Sequence, residues 1–115
     1  MYYSQSSSKE DCRRYLHGIA SALAFVHSQG VVHCDVKLEN VLLDGNDNVK
    51  LCDFGLAGRF GSERVGKPFG TSAYLSPELV CIRSRQTRYV LDTCYDVWSL
   101  GIVCYAASFG CKQPI

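Results

Sequence analysis

Between Asp92 and Ser108 the chain carries Val97, Trp98, Leu100, Ile102, Val103, Cys104 and Tyr105, which would fall on nearly every face of a helix. A helix apolar all round has no face to turn to water and must be buried on all sides. Any fold that contains this segment is therefore expected to pack other elements around it. The chain has 115 residues, 47% of them hydrophobic and 20% charged. That is the composition of an ordinary globular domain, and its length allows one domain or part of one.

Upstream, Ser8 followed by Asp11 resembles a capping box and precedes Cys12, Tyr15, Leu16, Ile19, Leu23 and Val26 at helical spacing. The pattern predicts a helix over Lys9 to Ser28, closed by Gly30. Three short β-prone runs follow, Val31 to His33, Val41 to Leu43 and Val49 to Leu51, the last two joined by a hairpin turn over Asp44 to Asn48. Asp53 to Tyr74 holds five glycines and scattered cations without periodicity, which predicts a long loop of functional use. A short helix is expected after Pro77, then a polar link, then the apolar helix. The fold class is α+β, mainly helical, with one short β-hairpin.

A net charge of +1 gives no field that would draw nucleic acid or an acidic membrane, and Arg83, Arg85 and Arg88 read as a solvated cluster. The seven cysteines form no C-x-x-C pair and no zinc spacing, so reduced thiols packed as small apolar groups are expected. Met1 to Ser8 lacks the pattern of a secretory signal, and Ile102 to Phe109 is too short to span a bilayer. The expected location is cytoplasmic.

The chemistry lies in His33-Cys34-Asp35-Val36-Lys37-Leu38-Glu39-Asn40, which sets an acid, a cation and an amide at intervals of two and three between two strands. Such a group can orient a hydroxyl and help hold a metal. Thirteen residues beyond Asn40 comes Asp53-Phe54-Gly55, where the glycine would permit a sharp turn that aims the carboxylate back at the same point. Asn40 and Asp53 are the oxygen donors a hard cation such as magnesium requires. Taken singly, each aspartate could equally cap a turn.

Together these two segments resemble the protein-kinase catalytic loop and the D-F-G motif at the family's separation. Gly70-Thr71-Ser72-Ala73-Tyr74-Leu75-Ser76-Pro77-Glu78 resembles the end of an activation segment, with Ser76 where most members have alanine. Asp96-Val97-Trp98-Ser99-Leu100-Gly101 resembles the start of the family's central buried helix. Four ordered motifs across residues 31 to 101 make the resemblance specific. It implies that residues 1 to 115 are the front part of a kinase C-terminal lobe, from the helix before the catalytic loop to the central helix. The N-terminal lobe and the last helices would be absent, and the chain alone would be inactive and unstable, with Trp98, Ile102 and Tyr105 bared to water.

Carried over position by position, the resemblance makes Asp35 the residue that orients the substrate hydroxyl. Lys37 would lie on the transferring phosphate, Asn40 and Asp53 on magnesium, and Leu42 against the nucleotide. Thr71, bonded to Asp35, and Glu78 would belong to the substrate-facing activation segment. The implied cofactors are ATP and Mg2+, and the implied partner is a protein substrate. Lys37 and Thr71 resemble the serine/threonine class. His33 and Phe54 would pack in an internal spine, and Cys52 would line the back of the nucleotide pocket. Residues around Val36-Lys37, Cys52 and 92 to 101 are similar to the SH3-domain-binding kinases, which would make an SH3-domain protein a partner.

Two departures stand out. Cys34 occupies the position where most kinases have an arginine that grips a phosphorylated activation loop, so activation is expected not to depend on phosphorylation at Ser62, Thr71 or Ser72. Leu38 replaces a usual proline. The enzyme reading is a serine/threonine kinase of which this chain is a fragment. Its alternative is a truncated kinase or pseudokinase that acts as a binding scaffold, against which the intact Asn40 and Asp53 speak.

Overall fold

The structure, a computed structural model, describes residues 9 to 66, 68, 74 to 85 and 88 to 108. Helix α1 spans Lys9–Ser28 and turns Ile19 and Leu23, one helical turn apart, into the interior. It ends where Gly30, at φ 76°, donates its N–H to the His27 carbonyl at 3.0 Å. The Ser8 half of the expected capping box lies outside the described residues.

The hairpin forms as its sequence predicts. β2 (Val41–Leu43) pairs antiparallel with β3 (Val49–Leu51) in the register Val41↔Leu51 and Leu43↔Val49. In the turn, Asp44 Oδ1 accepts the N–H groups of Asn46 at 2.8 Å and Asn48 at 2.9 Å, and Asp47 takes a left-handed φ of 64°. The hairpin lies flat on α1, so close that a Cβ at Gly18 would stand 3.0 Å from the Val49 side chain. Asp47 fixes the far end, accepting from Arg14 Nη2 at 2.7 Å and Tyr15 Oη at 3.0 Å.

The described part of the stretch from Asp53 to Tyr74 departs from the expected long loop without periodicity. It holds β4 (Gly58–Arg59), paired with β1 (Val31–Val32), and β5 (Glu63–Val65), paired with β6 (Arg88–Val90) in the link expected to be merely polar. Strands of two or three residues carry no readable period, and their partners lie far away in sequence, so local pattern could not show them. The described residues thus form three two-stranded antiparallel sheets rather than one hairpin. Helices of 20, 9 and 16 residues still make the fold mainly helical.

α2 (Pro77–Arg85) opens on proline, whose missing N–H costs nothing in a first turn. α3 (Thr93–Ser108) is capped by Asp92, whose Oδ1 accepts the Cys94 N–H at 3.0 Å. One apolar cluster gathers Ile19, Leu23, Val36, Leu38, Val41, Tyr74, Val103 and Ala106, and a second gathers Val32, Leu75, Leu79, Tyr89 and Leu91. The residue that replaces the usual proline, Leu38, is therefore a core side chain.

α3 is not buried on every side: Trp98 and Tyr105 are bared, as expected of the chain alone, while Ile102 is half-buried. Val103, Ala106 and Ala107 are buried, but Val97, Trp98 and Tyr105 are 59%, 44% and 47% exposed. One face of the post packs on α1 and β1, and the opposite face is bare. Among the described residues, no helix is long and apolar enough to cross a membrane.

Candidate active site

The loop from His33 to Asn40 is shaped from below by one buried carboxylate. Asp96, in the first turn of α3 and 1% exposed, accepts the His33 N–H at 2.8 Å with Oδ2 and the Cys34 N–H at 2.9 Å with Oδ1. His27 Nε2, from the end of α1, reaches the same Oδ2 at 2.8 Å. Three elements thus meet on a single side chain, and the carboxylate offers the acceptor sites to serve them all. Cys34 adopts φ 73°, a left-handed bend that the paired amides stabilise.

His33 is fully buried and acts as a bracket. Its Nδ1 accepts the Asp35 N–H at 3.0 Å, which leaves Nε2 as the protonated nitrogen that donates to the Cys52 carbonyl at 2.9 Å. Its ring meets Phe54 edge to face, centroids 4.6 Å apart. The histidine holds the loop to the end of β3 and has no nitrogen left for proton transfer.

Asp35, Lys37 and Asn40 follow on this scaffold, the first two half-buried and the third buried. The Asn40 carboxamide donates Nδ2 to the Asp35 carbonyl at 2.8 Å and to Asp35 Oδ2 at 3.1 Å, which turns its oxygen away and fixes the carboxylate. Lys37 Nζ lies 3.9 Å from Asp35 Oδ1, and the two side chains are only 24% and 12% exposed. A short 3-10 turn over Leu38–Asn40 sets the spacing by burying Leu38 and bringing Asn40 back under Asp35.

The Asn40 carbonyl accepts the Cys52 N–H at 2.8 Å, so β3 delivers the next residue, Asp53, beside the loop. Here the turn is made differently from the expectation. Asp53 itself takes the left-handed conformation, φ 60°, whereas Gly55 does not have a positive φ. Glycine serves by its size: a Cβ at position 55 would stand 3.2 Å from Asp53 Oδ1, and the Gly55 N–H donates to that oxygen at 3.2 Å. Asp53 is exposed.

The other expected positions are scattered. Leu42, on β2, is 49% exposed. Thr71 lies outside the described residues, and Glu78, on the first turn of α2, is exposed. Burial pushes the Cys34 thiol up to about 11, with the charges of Asp96 and Asp35 acting in the same direction and Arg64 opposing them. Sequence reasoning placed Asp96 in a motif without giving it a task, and it missed His27. Their partners lie 63 and 69 residues away along the chain, beyond any local signal.

A family profile for the protein kinase domain matches residues 1–114. The chain belongs to the protein kinase family. It is 40% identical over 104 residues to a probable serine/threonine-protein kinase KIN1 homolog of Encephalitozoon cuniculi, covering 90% of this chain and 18% of that protein. It is 37% identical over 114 residues to the human hormonally up-regulated neu tumor-associated kinase, covering 96% of this chain and 15% of that protein. Zebrafish (Danio rerio) maternal embryonic leucine zipper kinase is 42% identical over 107 residues, covering 90% of this chain and 15% of that protein. The kinase chain therefore spans less than one fifth of the length of these relatives.

Proposed function

We propose that the protein containing this chain is an ATP-dependent serine/threonine kinase that transfers the γ-phosphate to Ser or Thr hydroxyls of proteins, and that residues 1 to 115 belong to its C-terminal lobe. The observation that carries the reading is the pair of hydrogen bonds that Asn40 donates to Asp35. An amide that spends both protons on one aspartate leaves its oxygen free of that residue and keeps the carboxylate in one orientation. That is what positioning a substrate hydroxyl beside a cation requires.

The donor chemistry suits magnesium. Mg2+ binds through one or two protein oxygens and completes its shell with phosphate and water. Asn40 Oδ1 and the exposed carboxylate of Asp53 supply that number, and among the described residues no cluster of three His, Cys, Asp or Glu competes as a metal cage. When bound, magnesium neutralises charge that develops on the phosphates. In this reading Asp35 accepts the substrate hydroxyl proton and Lys37 lies along the transferring phosphate. Leu42 covers the nucleotide base, Cys52 borders its pocket, and Thr71 and Glu78 serve the substrate side. In this reading the protein works in the cytoplasm.

An SH3-domain partner has less support. SH3 domains take P-x-x-P segments, and the three prolines, Pro68, Pro77 and Pro114, are not spaced in that way. The second reading, a scaffold without phosphoryl transfer, is favoured only by the bare apolar face of α3 around Trp98.

Transfer of label from ATP to Ser/Thr peptides by the full-length protein tests the proposal. Asp35→Asn is expected to lower kcat by about 10²- to 10⁴-fold with KM for ATP nearly unchanged. Equal turnover in the variant would take that role from Asp35, and no turnover in the wild type would favour the scaffold.

A further inference from the structure

The stretch from Gly58 to Val65 has three attachments. β4 pairs with β1, and Phe60 donates its N–H to the Gly30 carbonyl at 2.8 Å. The chain then reverses at Gly61, φ 84°, with Ser62 N–H at 3.1 Å and Ser62 Oγ at 2.7 Å both donating to the Arg59 carbonyl. Beyond the turn β5 pairs with β6, and the ladder is extended by Gly61 N–H to the Leu91 carbonyl at 2.8 Å and Leu91 N–H to the Ser62 carbonyl at 2.9 Å. Glu63 and Arg88 add an exposed ion pair at 3.3 Å, worth little in water.

The inner face of this ribbon is the specific part. Arg64 folds back over Gly58, and its Nη2 donates to the Ala57 carbonyl at 3.0 Å. A Cβ at position 58 would stand 2.7 Å from that nitrogen and 2.5 Å from Leu91 Cδ1, so both side chains lie where only glycine leaves room. Arg64 also lines a small pocket of about 20 Å³ shared with Cys34, Leu91, Tyr95 and Asp96, room for about one water. A half-buried arginine folded back beside a half-buried thiol is not a solvated loop residue.

We propose that Arg64 is a positioning residue: folded over Gly58 onto the Ala57 carbonyl and fastened by the β5–β6 ladder, it holds the segment after Asp53-Phe54-Gly55 in place without a phosphate. Cys34 cannot grip a phosphate as an arginine would. Here the cation comes from within the segment, so its order is built into the chain. A phosphate on Ser62 would remove the hydroxyl bond to Arg59 and set about −1.5 to −2 charge beside Glu63, which loosens the turn. The clasp deepens the kinase reading and rests on it only for its effect on turnover.

Hydrogen exchange on the phosphatase-treated full-length protein tests the clasp independently of activity. The Gly61 and Leu91 amides are expected to be protected, and Gly58→Ala and Arg64→Gln to speed their exchange about tenfold while the His33 and Cys34 amides stay protected. Full exchange at Gly61 and Leu91 in the dephosphorylated wild type would overturn the proposal, as would unchanged protection in both variants. If a variant unfolds as a whole, shown by exchange at His33 and Cys34, Arg64→Lys decides. A rise below about threefold supports the clasp, and a rise as large as in Arg64→Gln counts against it. In turnover, Arg64→Gln is expected to lower kcat about tenfold with little change in KM, largely restored by Arg64→Lys. If exchange behaves as expected and the wild type transfers no phosphate, the clasp stands and the kinase reading fails.

Discussion

The carboxylate of Asp96 accepts the backbone N–H of His33 at 2.8 Å, across 63 residues of chain. The helix whose sequence resembles the family's central buried helix therefore carries the loop of the candidate site on its first turn, through a side chain 1% exposed. Asp96→Asn keeps the shape but turns an NH2 toward one of the two amides it should receive. It is expected to cost about 2–4 kcal/mol in urea unfolding of the full-length protein and to lower kcat more than KM.

Asn40 joins two tasks in one side chain, since its nitrogen holds Asp35 and its oxygen is the candidate metal donor. Asn40→Ala loses both, and a fall in kcat of at least about 10²-fold is expected. Asn40→Asp restores an oxygen donor but sets a second carboxylate against Asp35 and cannot donate to it. Titration with Mn2+ in the presence of nucleotide should therefore show retained metal binding in Asn40→Asp with turnover still low.

How much of this was legible follows from distance along the chain. α1, β2, β3 and the Asp44–Asn48 turn form where period, β-branching and turn chemistry agree within a few residues. The grouping of Asp35, Lys37 and Asn40 is legible for the same reason, because the three are neighbours along the chain. β4, β5 and β6 were missed because each depends on a partner brought in from elsewhere. α3 was read too simply: three residues of its apolar circumference, Val97, Trp98 and Tyr105, are exposed, and the polar Asp96 and Ser99 are inside. Ser99 Oγ donates to the Tyr74 carbonyl at 2.7 Å, and polar groups with such bonds are invisible to a hydropathy count. At Asp53-Phe54-Gly55 the sequence located the turn but assigned the unusual backbone angle to the wrong residue.

Ser76, where most kinases have alanine, is 2% exposed and its hydroxyl has no hydrogen-bond partner among the described residues. Ser76→Ala removes a desolvated polar group without opening a cavity larger than one atom. It is expected to leave stability unchanged or raise it by about 1 kcal/mol in thermal unfolding.

The bonds from Arg14 and then Tyr15 hold the Asp47 carboxyl below its ordinary 3.8, and backbone amides of Asn48 and Asn46 do the same for Asp44. A carboxylate whose pKa is depressed on folding stabilises the fold above its unfolded value and stops doing so as pH falls through its folded value. The hairpin should therefore loosen from α1 below about pH 3.8. Side-chain NMR of Tyr15 across pH 2 to 5 would show it, and Asp47→Asn should flatten the transition.

Cys34 and Cys52 flank the same loop and should differ in reactivity. Burial holds the Cys34 thiol up to about 11 from an ordinary 9.0, so at pH 7.5 it carries almost no thiolate and should resist alkylation in the folded protein. Because an unfolded thiol ionises first, this group's share of stability is complete below pH 9 and is lost between pH 9 and about 11. Cys52, half-buried, has its N–H on the Asn40 carbonyl and its own carbonyl on His33, which fixes the backbone immediately before Asp53. Mass-spectrometric footprinting with iodoacetamide at pH 7.5 is expected to modify Cys52 well before Cys34, and ATP with Mg2+ to protect Cys52. Equal labelling of the two would show that the loop is not packed as described, and labelling of Cys52 indifferent to nucleotide would place that thiol away from the ATP pocket.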